Sequence, residues 1–368
     1  MKVIFCGGGT VGHLTPAISM AEIILKNEKD SKILFIGRYG GDENEIITKK
    51  GFELKTVKML PFIRRVSLKN FKSATCLAKS VIEAKKIIKD FSPDAVIGTG
   101  GYVCWPVIRA AQKLNIPTLL HESNYLPGLA TKLLATKCDK VMLHFKQSEE
   151  HFKKKNNLVT VGNPLPEAFK NITREQARKR LGLSSNDFFI LSVGGSIGAE
   201  KINQSIISLM NNYSTKKSNV KHLHATGKRY FEKIKSENSL LTKGYNGCKI
   251  IPFITDMPLY MKAADTVISR CGAMTLSEIA ECETVPILIP SPNVTGNHQY
   301  KNAKIFTDGG AALMIDESEL NDRTLLDAVR YLLTNKGIRE KMKKELKKFK
   351  SEDTEITIFN LVKKAAYK

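Results

Sequence analysis

No apolar run in this 368-residue sequence reaches the roughly 18–20 residues that cross a bilayer, so a membrane-spanning chain is not expected. Residues 1–6 run straight into glycines with no long apolar stretch, so no secretory leader is expected either. The seven cysteines include no C-x-x-C pair, which excludes a zinc ribbon or disulfide framework and fits a reduced cytosolic protein. No G-x-x-x-x-G-K-[ST] occurs, because Gly227-Lys228 is followed by Arg229; a P-loop ATPase is excluded. Helix-turn-helix, zinc-finger and aromatic RNA-platform patterns are missing, so nucleic acid is not an expected partner. Negative charge is locally absent: residues 54–82 contain no Asp or Glu.

What is present is a basic, globular composition. Lys and Arg number 58 against 36 Asp and Glu, a net charge of +22, and 42% of residues are hydrophobic. Residues 1–165 hold 26 basic and 14 acidic side chains, or +12, and the remainder carries +10. The excess is therefore global, as a lysine-rich composition produces, and does not by itself name a partner. The length predicts two domains.

Strand and helix patterns alternate, which predicts parallel α/β sheets. A buried strand over 2–6 enters Gly7-Gly8-Gly9-Thr10-Val11-Gly12-His13. The following helix has Pro16 suited to its first turn, and Ala17, Met20, Ala21, Ile24 and Leu25 at helical spacing. Further strands are expected at 33–36, 94–97 and 118–120. Asn163-Pro164-Leu165-Pro166 marks a boundary. The pattern then restarts with a strand over 188–193, the turn Gly194-Gly195-Ser196-Ile197-Gly198 and a helix from about 199 to 211. Strands recur at 220–225, 249–251, 266–269 and 285–289. The expected domains are 1–163 and 164–345, each Rossmann-like, with a C-terminal helix over 346–368 that could pack back on the first.

Gly7, Gly9 and Gly12 satisfy G-x-G-x-x-G between strand and helix, a place where backbone and helix N–H groups can meet an anion. An NADP-type dehydrogenase would use the same turn, with Arg38 placed for a 2′-phosphate. Three other clusters follow strands or open helices: Gly98-Thr99-Gly100-Gly101-Tyr102, His121-Glu122-Ser123-Asn124 and Gly272-Ala273-Met274-Thr275. In open parallel sheets the carboxyl ends of strands form the ligand crevice.

These segments, with Val161-Gly162-Asn163-Pro164, Arg270–Glu278 and His298-Gln299-Tyr300-Lys301-Asn302-Ala303, occur in an order that resembles glycosyltransferase family 28. Its bacterial members convert lipid I to lipid II in peptidoglycan synthesis. The resemblance covers residues 3 to about 310. It implies the α/β GT-B fold, two Rossmann-like parallel-sheet domains facing an interdomain cleft. It also implies an inverting, metal-independent N-acetylglucosaminyltransferase with no required cofactor. UDP-N-acetylglucosamine (UDP-GlcNAc) would be the donor. The acceptor would be the 4-hydroxyl of undecaprenyl-diphospho-N-acetylmuramoyl-pentapeptide, with other cell-wall synthesis proteins as further partners.

The chemistry needs a base, stabilisation of the leaving diphosphate, and recognition of uracil and sugar. His13 is the expected base, with Glu122 as rival. Tyr102, His121 and Asn124 would line the acceptor side; a strand-end histidine satisfied inside the protein is the plainer reading of His121. Toward the donor, the resemblance places Thr10, Val11, Gly12 and Asn124 in the first half. In the second half it places Ser196, assisted by the N–H groups of Ile197 and Gly198, together with Ile254, the helix start Ala273, Met274, Thr275, Leu276, Ser277 and Glu278, and Gln299. Ile254 would meet uracil through its backbone, Glu278 the ribose hydroxyls, and Gln299 the sugar hydroxyls by donating and accepting. Arg270 would structure its loop or meet a phosphate. Val11, Ser123, Pro166, Cys271 and Met274 depart from the commoner family residues, and an inverting transfer needs no nucleophile from Cys271.

A lipid-linked acceptor implies a peripheral enzyme on the cytoplasmic face of the cell membrane. The stretch 54–82 supplies seven basic residues interleaved with apolar ones. Contact with an anionic inner-membrane surface is expected for 59–72, through Phe62, Ile63, Arg64, Arg65, Leu68, Lys69, Phe71 and Lys72. Rival readings are another GT-B glycosyltransferase with a different lipid acceptor, such as diacylglycerol, and a UDP-sugar 2-epimerase.

Overall fold

The structure, a computed structural model, describes the chain except for residues 9–10, 42, 60–67, 196 and 215–218 and the side chains of 11, 43 and 68–75. It forms two units, Met1–Leu165 with Ser351–Lys368, and Pro166–Lys350.

The first unit is built on β1 (Lys2–Cys6), β2 (Lys32–Arg38), β3 (Glu53–Val57), β4 (Ala95–Gly98), β5 (Thr118–Glu122), β6 (Lys140–Leu143) and β7 (Leu158–Thr160). Among the described residues these make one parallel sheet in the order β3-β2-β1-β4-β5-β6-β7. Val3, Ile4, Phe5 and Cys6 are all fully buried, as a central strand covered on both faces requires. Alternate residues feed opposite faces. Ile4, Leu34, Val96 and Leu120 join one core cluster; Val3, Ile33, Ala95 and Leu119 join the other. Helices α1 (Val11–Asn27), α2 (Glu43–Lys49), α3 (Leu68–Phe91), α4 (Cys104–Lys113) and α5 (Leu129–Ala135) connect the strands.

The second unit repeats the plan. Strands β8 (Phe188–Val193), β9 (Val220–Ala225), β10 (Cys248–Ile251), β11 (Thr266–Ser269), β12 (Val285–Leu288) and β13 (Leu313–Met314) pair in parallel as β10-β9-β8-β11-β12-β13. Its helices are α6 (Arg174–Arg180), α7 (Glu200–Ser214), α8 (Lys228–Glu237), α9 (Ser239–Lys243), α10 (Met257–Ala263), α11 (Ala273–Cys282), α12 (His298–Asp308), α13 (Asp322–Thr334) and α14 (Lys336–Lys347). The chain then returns as α15 (Thr354–Ala366), whose Ile358, Val362 and Ala365 enter the first unit's core beside Leu14, Ala17 and Ala21 of α1.

Three expectations need correction. Helix α1 starts at Val11, so Pro16 is its sixth residue and lies past the first turn. Proline has no N–H, and the Gly12 carbonyl that would have received it sits on an exposed residue where water can serve. A single helix over 346–368 is replaced by the end of α14, a break and α15. The break follows Phe349 turning inward to stack on Phe306, with ring centroids 4.2 Å apart. Met59, placed with the membrane-facing residues, is buried in the first unit's core.

Candidate functional site

In each sheet the strand order reverses beside the first strand, between β1 and β4 and between β8 and β11. Such a switch point opens a crevice at the carboxyl ends of the two strands. The glycine turns stand there in both units.

In the first unit β4 runs into Thr99-Gly100-Gly101. Thr99 N–H donates to the Cys6 carbonyl (2.9 Å), and its hydroxyl donates to the His13 carbonyl (2.7 Å). His13 Nδ1 lies 3.2 Å from the Thr99 carbonyl oxygen. A carbonyl only accepts, so that bond places the ring proton on Nδ1 and leaves Nε2 as the basic nitrogen. Gly100 and Gly101 have φ of +105° and +80°. A Cβ on Gly100 would press into the His13 ring, and one on Gly101 would overlap the Gly8 carbonyl oxygen. Glycine is therefore needed at both positions for the loop to close on His13. The Cys104 thiol donates to the carbonyls of Cys6 and Gly100 and ties the same loop to β1.

His121 and Glu122 end β5 and are almost fully buried. His121 Nε2 donates to the Gly162 carbonyl (3.0 Å), and Nδ1 faces the Ser123 hydroxyl at 3.5 Å. Burial lowers its pKa and keeps it neutral, although the Gly162 carbonyl pulls the other way. His121 thus does not line an acceptor surface; both nitrogens are engaged inside the protein. Glu122 accepts from Asn124 N–H (3.1 Å), Asn124 Nδ2 (3.2 Å) and Gly128 N–H (3.1 Å). It shapes the loop and starts α5. Asn124 and Tyr102 are half-buried.

In the second unit the turn after β8 is closed by Gly198 N–H donating to the Gly195 carbonyl (3.0 Å). That donor is consequently not available to a ligand, while Ile197 is exposed. After β11, Arg270 donates to the carbonyls of Ile289 and Pro290 (3.2 Å each) and pairs with Glu317. It organises the loop. Cys271 is buried, and burial raises its thiol pKa strongly, which keeps it unreactive. Gln299 Oε1 accepts from Cys271 N–H (3.2 Å) and Ser291 N–H (2.9 Å). Two backbone donors fix the amide orientation, so Nε2 is the end left for a ligand. The expectation that Gln299 both donates and accepts is reduced to donation.

Along α11, Leu276 lies in the core, Ala273 and Met274 are buried, and the Ser277 hydroxyl donates back to the Ala273 carbonyl (3.1 Å). Thr275 is half-buried. Glu278 is also half-buried, and its carboxyl makes no hydrogen bond or ion pair among the described residues. Desolvation pushes its pKa up to about 8. The Ile254 side chain is buried, and its backbone N–H and C=O bond to no other backbone group among the described residues. No cluster of three or more His, Cys, Asp or Glu among the described residues could hold a metal ion.

Thr10, Ser196, Phe62, Ile63, Arg64 and Arg65 lie outside the described residues, as do the side chains of Val11, Leu68, Lys69, Phe71 and Lys72. Gly12 is exposed at the start of α1. Sequence reasoning passed over Thr99 and Cys104, which hold His13's loop, and Gly227, which packs against Gly198. It also passed over His222 and His224, whose spacing of two on one strand already put them on one face.

Two Rossmann-type units with glycine turns at both switch points define the GT-B fold. The N-terminal domain model of glycosyltransferase family 28 matches residues 3–143, and the C-terminal domain model of that family matches residues 189–357. The chain belongs to glycosyltransferase family 28. It is 40% identical over 367 residues, 99% of each chain, to the UDP-N-acetylglucosamine--N-acetylmuramyl-(pentapeptide) pyrophosphoryl-undecaprenol N-acetylglucosamine transferase of Caldanaerobacter subterraneus subsp. tengcongensis. Among solved structures, MurG of Acinetobacter baumannii superposes with a TM-score of 0.77 at 24% identity, covering 99% of both chains. A UDP-GlcNAc 2-epimerase from Neisseria meningitidis bound to UDP-GlcNAc gives 0.68 at 15% identity, covering 99% of this chain and 100% of the other. The architecture alone thus serves more than one chemistry.

Proposed function

We infer that this chain transfers N-acetylglucosamine from UDP-GlcNAc to the lipid-linked N-acetylmuramoyl-pentapeptide, converting lipid I to lipid II. Full-length identity to a transferase of that name selects this activity over the epimerase, whose likeness extends to fold alone. The geometric observation that carries the chemistry is His13, held by Thr99 with its proton on Nδ1. Nε2 takes the proton from the acceptor 4-hydroxyl as that oxygen attacks the anomeric carbon, and UDP departs with inversion. Glu122, with three N–H donors on its carboxylate, is the weaker candidate for base.

On the donor side, Glu278 accepts from the ribose hydroxyls, the Ile254 backbone reads uracil, and Gln299 Nε2 donates to sugar hydroxyls. Ser196 and the Ile197 N–H meet the diphosphate, which the reaction then releases without a metal or other cofactor. Asn124, Tyr102 and Thr10–Gly12 complete the acceptor and sugar contacts. The enzyme works as a peripheral protein on an anionic membrane surface, the cytoplasmic leaflet. Purified protein given UDP-GlcNAc and a lipid I analogue should yield the disaccharide lipid and one UDP per transfer. Transfer to diacylglycerol with none to the lipid I analogue would overturn this reading, as would release of free 2-epimerised sugar.

A further inference from the structure

The second unit contains a buried polar chain that none of the roles above uses. It consists of Ser192 on β8, His222 and His224 on β9, and Asn203 on α7, each at most 1% exposed. Asn203 Nδ2 donates to the Thr226 carbonyl at 3.0 Å, which turns Oδ1 toward His224 Nε2 at 3.1 Å. Only an N–H can make that second bond, so the neutral His224 ring carries its proton on Nε2; Nδ1 faces both the Ser192 carbonyl oxygen at 3.2 Å and the Ser192 hydroxyl, and of these two only the hydroxyl can donate to it. The donor to Nδ1 is the Ser192 hydroxyl at 2.9 Å. With its proton spent, Ser192 Oγ accepts from His222 Nε2 at 2.8 Å. His222 Nδ1 ends the chain as a buried acceptor with no partner among the described residues. Every donor therefore points the same way, from His222 through Ser192, His224 and Asn203 to the Thr226 carbonyl.

That carbonyl is a contact surface for the turn after β8. A Cβ on Gly198 (φ +87°) would overlap it, and a Cβ on Gly227 (φ +81°) would strike the Ile197 carbonyl and Gly198 nitrogen. The two glycine turns thus lie back to back. Ser192 stands two residues before Gly194, and Asn203 bonds through its own N–H to the Ala199 carbonyl, just beyond Gly198. The polar chain consequently grips both ends of the turn and the carbonyl it leans on. Apolar residues could fill the same volume without desolvating four polar side chains. What apolar residues cannot do is fix one carbonyl at one angle.

We propose that Ser192, His222, His224 and Asn203 are positioning residues that hold Gly194, Gly195, Ile197 and Gly198 where their backbone receives the donor diphosphate. The proposal rests on the donor reading of that turn. Steady-state kinetics with UDP-GlcNAc and a lipid I analogue test it, alongside calorimetric titration with UDP. His224→Leu should raise the KM for UDP-GlcNAc and the Kd for UDP about tenfold, leave the acceptor KM unchanged and alter kcat less than threefold. His224→Gln, which keeps an acceptor and a donor, should recover most of the loss. Ser192→Ala, a smaller change in the same chain, carries the test if His224→Leu does not fold. Folded variants with parental donor KM would overturn the proposal, as would donor and acceptor KM rising together. Failure of the parent protein itself to bind UDP would instead overturn the donor reading.

Discussion

Whether a polar side chain can serve a ligand depends on which of its atoms the protein has already used. Gln299 has spent its oxygen on two backbone donors, Glu122 both of its oxygens, and His121 both ring nitrogens. In His13, Nδ1, the nitrogen that should carry the proton, is committed to the Thr99 carbonyl. His13→Ala should lower turnover on the order of 10²–10⁴-fold with the donor KM near the parental value; near-normal turnover in the folded variant would remove His13 as the base. Glu278 gives a pH signature. Its carboxyl, raised to about 8 by burial, is protonated at neutral pH in the free protein. Ribose hydroxyls that donate to it favour the carboxylate, so binding should strengthen as pH rises toward about 8 and level off above. UDP-GlcNAc affinity should therefore rise by up to roughly tenfold between pH 6.5 and 8.5 and lose that dependence in Glu278→Gln. An equal slope in both proteins would refute the assignment.

At the level of elements, the stretch without acidic residues resolves into parts of different kind. Its first residues form β3, an edge strand whose side chains alternate between exposed and half-buried, and Met59 enters the core. Val81 and Ile88 of α3 face the core as well. The proposed membrane contact narrows to the residues between, where each Lys or Arg near an anionic leaflet contributes about 1 kcal/mol. Phe62→Asp combined with Phe71→Asp should weaken sedimentation with phosphatidylglycerol vesicles several-fold, and binding equal to the parent's would refute that contact. Strands β1, β8, β9 and β11 match the sequence reading to the residue, and nearly all of their side chains are buried, β9 included although it carries Lys221, His222 and His224. Those missed were β3, with Lys55 in its middle, β6, which opens on Lys140, and β7 and β13, only three and two residues long. Such strands are specified by the neighbour they pair with, and no local pattern announces them. In the same way, the glycines of the candidate site could be read from spacing. Thr99 and Cys104 could not, since their partners lie 86 and 98 residues away in the chain.

For the whole molecule, the net charge of +22 divides almost evenly between the two halves and sets no orientation. Buried histidines set something more definite. His121, His144, His222 and His224 all have pKa values lowered from 6.5 by burial, His144 to about 3 and His224 to about 4. The unfolded chain takes up protons below pH 6.5 that the folded chain refuses. Their stabilising contribution is thus complete above pH 6.5 and is lost as pH falls from there toward 4. Glu278 acts in the opposite sense, its contribution complete below pH 4.5 and lost as pH rises through about 8, but it is one group against four. Urea midpoints should fall as pH drops from about 6.5 to 5; a flat profile over that range would contradict the neutral, buried assignment.

The return of α15 sets an order on the protein's birth. The first unit's core includes Ile358, Val362 and Ala365, and Glu28 receives both the amino group of Met1 and the hydroxyl of Tyr367. On a ribosome, the unit whose synthesis starts first cannot close until residues 354–366 have been made, by which point residues 166–350 are already complete. During that interval the α1 face of the nascent unit stays bare, and a chaperone that shields apolar helices has its longest opportunity there.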